Sequence, residues 1–232
     1  MIPRTLAGPV ARSRGAFPVL SITGPRQAGK TTLVRDLFPE YRYLNLEALD
    51  VRSIAEDDPR RFITEHIEQG IVIDEAQRVP SLFSYLQTIV DESRLMGKVV
   101  LTGSQHFLLL ESVTQSLAGR VMLHQLLPFT VRELPQVLRD PVDRVLFRGM
   151  YPPLHDRNIE PALFYPTYIQ SYVERDVRLV RNVGDLSAFS RFLRLCASRV
   201  GSLLNMSSLA VETGIDHKTV RSWLSVISTS GS

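Results

Sequence analysis

The sequence predicts an α/β fold, a parallel sheet flanked by helices, followed by an all-helical region that ends in a helix-turn-helix. Three observations support it. As far as about residue 130, short apolar runs typical of buried parallel strands alternate with segments of helical periodicity. Beyond that residue the periodicity is helical throughout. The last segment contains two short helical patterns on either side of a glycine, which is typical of a helix-turn-helix.

Length and composition indicate a globular chain with room for two domains. It has 232 residues, of which 44% are hydrophobic and 22% are charged. We expect four segments: a lead-in over residues 1–16, an α/β core over 17–130, a helical region over 131–200 and a helix-turn-helix over 201–232.

Cysteine usage and the distribution of apolar residues bear on the compartment. The single cysteine, Cys196, excludes a disulfide framework and indicates a reducing environment. The sequence contains no signal-peptide pattern and no run of about 18 apolar residues. We therefore expect a cytoplasmic protein without a membrane partner. The net charge of +3 is compatible with a nucleic-acid partner but does not require one.

The stretch from Gly24 to Thr31 matches the phosphate-binding pattern G-x-x-x-x-G-K-[ST] without a mismatch. An apolar strand over residues 17–23 precedes it and a helix over 32–37 follows it, which is the order that this loop requires. Lys30 is then expected to reach the β- and γ-phosphates of a nucleotide, and the Thr31 hydroxyl to bind Mg²⁺. The other interpretation is a tight strand-to-helix turn without a ligand. The predicted nucleotide contacts are Gly24, Pro25, Arg26, Gln27, Ala28, Gly29, Lys30, Thr31 and Thr32.

Two carboxylates follow the next buried strand, which reads Ile71-Val72-Ile73. In phosphate-loop hydrolases the first acid after such a strand holds Mg²⁺, and in the ATPase branch the next acid polarises the attacking water. Asp74 and Glu75 fit these two roles. The alternative is an acidic pair that caps a helix.

A further strand over residues 98–102 ends in Gly103-Ser104-Gln105. Ser104 or Gln105 could sense the γ-phosphate or orient the water, or the serine could simply cap the next helix. Arg120 precedes the last predicted strand, over residues 121–126. It is either a surface charge or a guanidinium that neutralises phosphate charge, in cis or from a neighbouring copy.

The region after residue 130 is predicted to form helices over 130–138, 142–148, 161–180 and 186–199. In the last segment, a helix over 207–213 and a helix over 217–227 flank the turn 214–216. The second helix is expected to expose His217, Lys218, Thr219 and Arg221, which would suit double-stranded DNA. The alternative is a helix pair that serves packing alone.

Several motifs together resemble those of prokaryotic AAA+-like P-loop ATPases, in which the ATPase core is followed by a helix-turn-helix and a nuclease-like domain. They are Gly24–Leu33, Ile73–Gln77, Leu101–Gln105, Ser116–Arg120 and Tyr172–Arg178. The resemblance implies ATP as the nucleotide, with the strand over 98–102 between the phosphate-loop strand and the Asp74 strand. It also implies a γ-phosphate sensor at Ser104 or Gln105, Arg120 as the arginine near the phosphates, and a role for residues 172–178 beyond a solvated face. The chain ends before the nuclease-like domain, so we expect it to lack that domain's activity.

These observations predict an ATPase that binds ATP with Mg²⁺ and hydrolyses it by in-line attack of water. The competing hypothesis is a nucleotide-gated DNA-binding or interaction module with little or no hydrolysis. A GTPase is disfavoured because the Asn-Lys-x-Asp motif is absent. Whether the chain forms a homo-oligomer is left open.

Overall fold

In this computed structural model, residues 2–103, 116–173 and 185–231 are described. They form two compact units, Met1–Pro161 and Ala162–Ser232. Among the described residues, no helix combines the length and apolar character needed to cross a bilayer.

The first unit is built around a five-stranded parallel sheet. Its strands are β1 (Val19–Thr23), β2 (Arg42–Asn45), β3 (Ile71–Asp74), β4 (Val99–Gly103) and β5 (Val121–Gln125). Their order in the sheet is β2-β3-β4-β1-β5, and every neighbouring pair is parallel. The predicted position of β4 between the loop strand and the Asp74 strand is confirmed. All five strands therefore end at one edge of the sheet.

Helices surround the sheet and continue beyond it. The α-helices of the first unit are α1 (Ala7–Ser13), α2 (Lys30–Leu37), α3 (Leu49–Asp57), α4 (Pro59–Thr64), α5 (Ser81–Ser93), α6 (Val142–Arg148) and α7 (Pro152–Asp156). Helix α8 (Pro161–Tyr168) begins at the boundary between the units. Short 3₁₀ turns occupy Ala76–Arg78 and Pro135–Arg139. The side chain of Asp58 caps α4 by accepting from the Arg61 N–H.

Alternation along the buried strands explains why helices cover both faces of the sheet. In β3, Ile71 and Ile73 pack into one apolar cluster with residues of α4 and α5, while Val72 packs into a second cluster with residues of α1 and α2. Successive side chains of a strand point to opposite faces, so a strand that is apolar at every position is buried on both.

The second unit contains a three-helix core formed by α9 (Leu186–Ala197), α10 (Met206–Thr213) and α11 (His217–Gly231). Its fully or nearly buried apolar side chains are Ala188, Phe189, Phe192, Leu209, Val220 and Trp223. The helix after Tyr168 continues as five residues of π-helix, Ile169–Val173.

The division into units differs from the predicted segments. The expected boundary at residue 130 falls inside the first unit, because Phe129, Leu134 and Val137 form an apolar cluster that Ile2 also contacts. The expected boundary at residue 200 falls inside the second unit, because α9 packs into the same core as α10 and α11.

The helix predicted over residues 130–138 is present only as the 3₁₀ turn from Pro135 to Arg139. Proline disfavours helical backbone at the preceding residue, and Leu134 has φ −127° and ψ 62°. The helix predicted over 161–180 is α-helical only through Tyr168 within the described residues.

Two glycines at the edge where the strands begin offer a matched test of close packing. Both have left-handed backbone, with φ 63° at Gly97 and 76° at Gly119. A Cβ on Gly97 would lie 2.1 Å from the backbone oxygen of Arg14, whereas one on Gly119 would meet no described atom within 4 Å.

We expect Gly119→Ala to lower the free energy of unfolding by about 1 kcal/mol, the cost of left-handed backbone. Gly97→Ala should lower it by at least about 2 kcal/mol more, because backbone must shift. Urea denaturation of both variants measures the difference. Equal losses would contradict the packing of Gly97 against Arg14.

Candidate functional site

The loop between β1 and α2 curls tightly because glycines allow it. Gly24 has φ 149°, and a Cβ there would lie 2.0 Å from the carbonyl oxygen of Leu126. Gly29, which precedes α2, has φ 94°. Left-handed backbone of this kind turns successive N–H groups toward a common side, which is the arrangement that binds phosphate. The loop thus has the geometry that its sequence predicts.

Lys30 lies folded into the loop. Its side chain is buried, and Nζ donates hydrogen bonds to the carbonyl oxygens of Gly24 at 2.8 Å and Pro25 at 2.9 Å. The ammonium group is therefore held inside the curve of the loop, where phosphate oxygens could replace these carbonyls as its acceptors.

Asp74 is the centre of a hydrogen-bond network at the end of β3. One carboxylate oxygen, Oδ2, accepts from the Thr31 hydroxyl at 3.1 Å and from the Tyr43 hydroxyl. The other oxygen, Oδ1, accepts from the Thr102 hydroxyl and from the backbone N–H of Glu75 at 3.1 Å. Three hydroxyl groups from α2, β2 and β4 thus converge on one carboxylate that is only 6% exposed.

The hydroxyl of Tyr43 is a donor to this network and not a titrating group. Burial first, and then the Asp74 carboxylate that it contacts, raise the pKa of Tyr43 above its ordinary value. The guanidinium of Arg35 lies 4.2 Å from the centre of the Tyr43 ring. Tyr43 therefore stays protonated and donates a hydrogen bond to Asp74.

Glu75 follows Asp74 with a left-handed backbone, φ 57° and ψ 41°. Such a conformation is uncommon for a residue with a long side chain and is concentrated at functional sites. Its Oε2 accepts from the Gln77 side-chain amide at 2.6 Å. No described group reaches the buried Oε1 of Gln77, which leaves an acceptor beside Glu75 for a water molecule.

The remaining predicted loop contacts differ in exposure. Pro25 and Ala28 are buried, whereas Gln27, with φ 60°, and Thr32 are exposed. The Ala28 carbonyl accepts a hydrogen bond from Arg4 of the N-terminal segment at 2.7 Å. Sequence reasoning did not single out Arg4.

Tyr43 also escaped the sequence analysis. The residues of β2 alternate in polarity, but this pattern does not indicate that β2 lies beside β3, where Asn45 aligns with Asp74. Knowledge of that strand order would have placed the Tyr43 side chain within reach of the acidic pair.

Two predicted site elements lie outside the described residues. They are the strand-tip residues Ser104 and Gln105, and residues 174–178 of the segment that begins at Tyr172. Their roles stay predictions.

Arg120 lies at the opposite edge of the sheet from the loop. It precedes Val121, which aligns with Val19 at the start of β1, whereas the loop follows Thr23. Four residues of strand span roughly 13 Å. Its guanidinium binds both carboxylate oxygens of Asp91, at 2.6 and 2.7 Å. Arg120 is therefore out of reach of a nucleotide held by the loop of its own chain, because parallel strands separate the two ends.

Oxygen ligands at the site suit a hard cation. The Thr31 hydroxyl oxygen lies 3.1 Å from Oδ2 of Asp74. Mg²⁺ binds few protein ligands and completes its coordination shell with water and phosphate. Among the described residues, no group of three or more His, Cys, Asp or Glu side chains could hold a metal ion. The oxygen atoms of Thr31 and Asp74 are of the kind that binds a magnesium ion.

Family comparisons agree with this geometry. A family model described as "AAA domain" matches residues 16–135, and one described only as a domain of unknown function matches residues 139–232. Uncharacterized proteins of Mycobacterium tuberculosis and Mycobacterium bovis are each 31% identical over 229 residues, which are 97% of this chain and 51% of theirs. The chain thus spans about half the length of the curated relatives it matches.

A solved structure extends the comparison to the fold. The Walker-type ATPase of Pyrococcus abyssi is 17% identical, with a TM-score of 0.57 over 99% of this chain and 89% of that one. At this identity the likeness concerns the fold alone. Since the AAA model covers more than half of the sequence and the sheet and loop have the expected form, the chain belongs to the AAA domain family of P-loop ATPases.

Proposed function

We propose that this chain binds ATP together with Mg²⁺ and hydrolyses it. The observation that supports this most is the network at Asp74, which joins the first helical turn after the phosphate loop to the acidic end of β3. Phosphate-binding groups and a carboxylate pair are thereby brought to one edge of the sheet. A loop that only bound phosphate would not need the second acid.

Each residue has a role that its contacts support. Lys30, held within the loop, would bind the β- and γ-phosphates in place of the carbonyls of Gly24 and Pro25. Thr31 and Asp74 would hold Mg²⁺, the latter directly or through water. When bound, the ion supplies positive charge that offsets the charge developing on the transferred phosphoryl group.

Glu75 would orient the attacking water and accept its proton. The Gln77 amide donates to one carboxylate oxygen of Glu75 and helps to orient the side chain. An arginine near the phosphates is the remaining element that the family resemblance suggests. We propose Arg120 for it, in trans only, and this role requires assembly of several copies and release from Asp91.

The second candidate is a module in which ATP acts as a switch and DNA binding is the output. Its support lies in the second unit, where Gly214 ends α10 with φ 74° and Asp216 caps α11 by accepting from the Thr219 N–H at 2.9 Å. His217, Lys218 and Arg221 are exposed on α11, whereas Thr219 is half-buried and donates to Asp216. These features support a helix-turn-helix whose second helix could enter a major groove.

Two substitutions test hydrolysis. We expect Lys30→Ala to weaken ATP binding at least about 100-fold, because a buried charge-assisted contact to phosphate is lost. Glu75→Gln should keep ATP affinity and lose about 100-fold or more in kcat, because a general base is removed. Nucleotide titration and phosphate release measure these effects, with Lys98→Ala and Glu92→Gln as controls at other surfaces. Tight ATP binding without phosphate release in the wild type would favour the switch.

Tyr43→Phe tests the support of the metal ligand. Removal of the hydroxyl leaves Asp74 with one donor fewer, so we expect the Mg²⁺ concentration for half-maximal activity to rise about tenfold, as is typical for partners of metal ligands. ATP affinity measured in EDTA should not change. Tyr41→Phe is the matched control, because its buried hydroxyl donates to Gly97 instead. An unchanged Mg²⁺ requirement would remove Tyr43 from the site.

DNA binding is tested by the double substitution Lys218→Ala with Arg221→Ala. If α11 contacts duplex phosphates, affinity should fall, and the slope of log affinity against log salt should decrease by about 2. Fluorescence anisotropy at several salt concentrations, with Lys98→Ala as a control, measures both. A wild-type chain that binds no duplex would leave α10 and α11 with a packing role alone.

A further inference from the structure

Arg4 belongs to the N-terminal segment, yet its side chain lies against the phosphate loop. The side chain is 8% exposed. Its Nη1 donates to the carbonyl oxygen of Ala28 at 2.7 Å, and Nη2 donates to that of Leu127 at 2.5 Å. A Cβ built on Gly29 would lie 3.4 Å from Nη1. The guanidinium is thus in direct contact with the end of the loop, just before the lysine.

The charge of Arg4 is balanced by a buried partner. Its Nε donates to Oε1 of Glu133 at 3.2 Å, and the Glu133 side chain is 3% exposed. The same carboxylate accepts from the backbone N–H groups of Thr5 at 2.7 Å and Thr130 at 2.8 Å. The guanidinium also lies 4.7 Å from the centre of the Phe129 ring. Every N atom of the Arg4 guanidinium therefore has an acceptor.

Burial alone would raise the pKa of Glu133, but the N–H groups of Thr130 and Thr5 and the charge of Arg4 hold it below its ordinary value. The pair is therefore ionised near neutral pH. Buried ion pairs seldom add net stability over apolar side chains of similar size. The Arg4–Glu133 pair is therefore better explained by the orientation that it gives to the Arg4 guanidinium.

The contact with Ala28 has a geometric consequence. In a trans peptide the C=O and the following N–H lie in one plane and point in opposite directions. The described residues contain no cis peptide bond. When Arg4 fixes the Ala28 carbonyl, it also directs the N–H of Gly29 to the other side of the loop. Backbone N–H groups are the ligands with which such loops bind phosphate.

We propose that Arg4 is a positioning residue for the phosphate loop, and that it presets the Ala28–Gly29 peptide for a polyphosphate. This inference rests on the proposed nucleotide binding. Glu133 holds the guanidinium in the orientation that reaches Ala28, and the bond to Leu127 fixes the loop to the chain that leaves β5. The loop is thereby preformed, and binding does not have to order it.

A rival explanation is contact with the nucleotide base. An apolar cavity of about 60 Å³ lies beside Arg4, with Ile2, Leu33 and Phe129 among its lining residues. If Arg4 mattered because it shapes this cavity, only ligands that carry a base would lose affinity. Inorganic tripolyphosphate, which has no base, separates the two explanations.

The experiment compares Arg4→Lys with the matched control Arg14→Lys. Lysine keeps the charge beside Glu133 but, as a point charge, cannot donate to three acceptors in a plane. Arg14 also pairs with a glutamate, Glu40, and lies over the rings of Phe38 and Tyr41, away from the loop. ATP and tripolyphosphate each compete with a fluorescent ATP analogue, and thermal unfolding is recorded for every variant.

We expect Arg4→Lys to lower the affinities for ATP and for tripolyphosphate by the same factor, about tenfold or more, as is typical for the loss of one charge-assisted hydrogen bond. The thermal midpoint should stay close to that of the wild type, and Arg14→Lys should bind as the wild type does. If Arg4→Lys does not fold, the double variant Arg4→Met with Glu133→Gln removes both charges together and should show the same joint loss.

Unchanged affinities in a folded Arg4 variant would overturn the inference. A loss for ATP alone would also overturn it and assign the effect to the cavity. If Arg14→Lys lost as much affinity as Arg4→Lys, the effect would come from a general loss of stability, which would also contradict a positioning role for Arg4. A wild-type protein that binds neither ligand would overturn the proposed nucleotide binding itself.

Discussion

The buried carboxylate of Asp74 is the point on which the candidate site depends. Parallel pairing sets Asp74 level with Asn45 on one side and Thr102 on the other, so neighbouring strands end together. The Thr31 hydroxyl then connects this edge to the helix that begins after the phosphate loop. A carboxylate withdrawn from water requires donors, and here they come from three separate elements. The order of the strands in the sheet therefore determines which hydroxyl groups can reach Asp74.

On the other side of the loop, the support comes from segments far apart in sequence. Arg4 and Glu133 are 129 residues apart and meet beside Ala28. The turn that carries Glu133 belongs to the same unit as the loop, and this unit extends past the sheet to residue 161. The part of the chain that contacts the phosphate loop is consequently larger than the α/β core alone.

Local patterns allowed much of this site to be predicted, because the phosphate loop and the acidic pair are each encoded by a few consecutive residues. Contacts between neighbouring strands were harder to predict from the sequence. The Tyr43 hydroxyl reaches Asp74 only because β2 lies beside β3, and alternation along β2 carries no information about its neighbour. Arg120 shows the same limit, since its position at the far edge follows from the direction of β5 and not from the glycine before it. The helix expected over residues 130–138 failed for a local reason, the backbone restriction before Pro135.

Glu75 has left-handed backbone, a conformation that glutamate adopts only at a cost in free energy. Glycine or asparagine would adopt it with less strain, yet neither carries a carboxylate. Selection for folding alone would thus move the sequence away from glutamate, and only selection for a carboxylate opposes this drift. Among relatives of this chain, the residue at this position should therefore distinguish copies that retain the carboxylate's task from copies that have kept the fold and abandoned it.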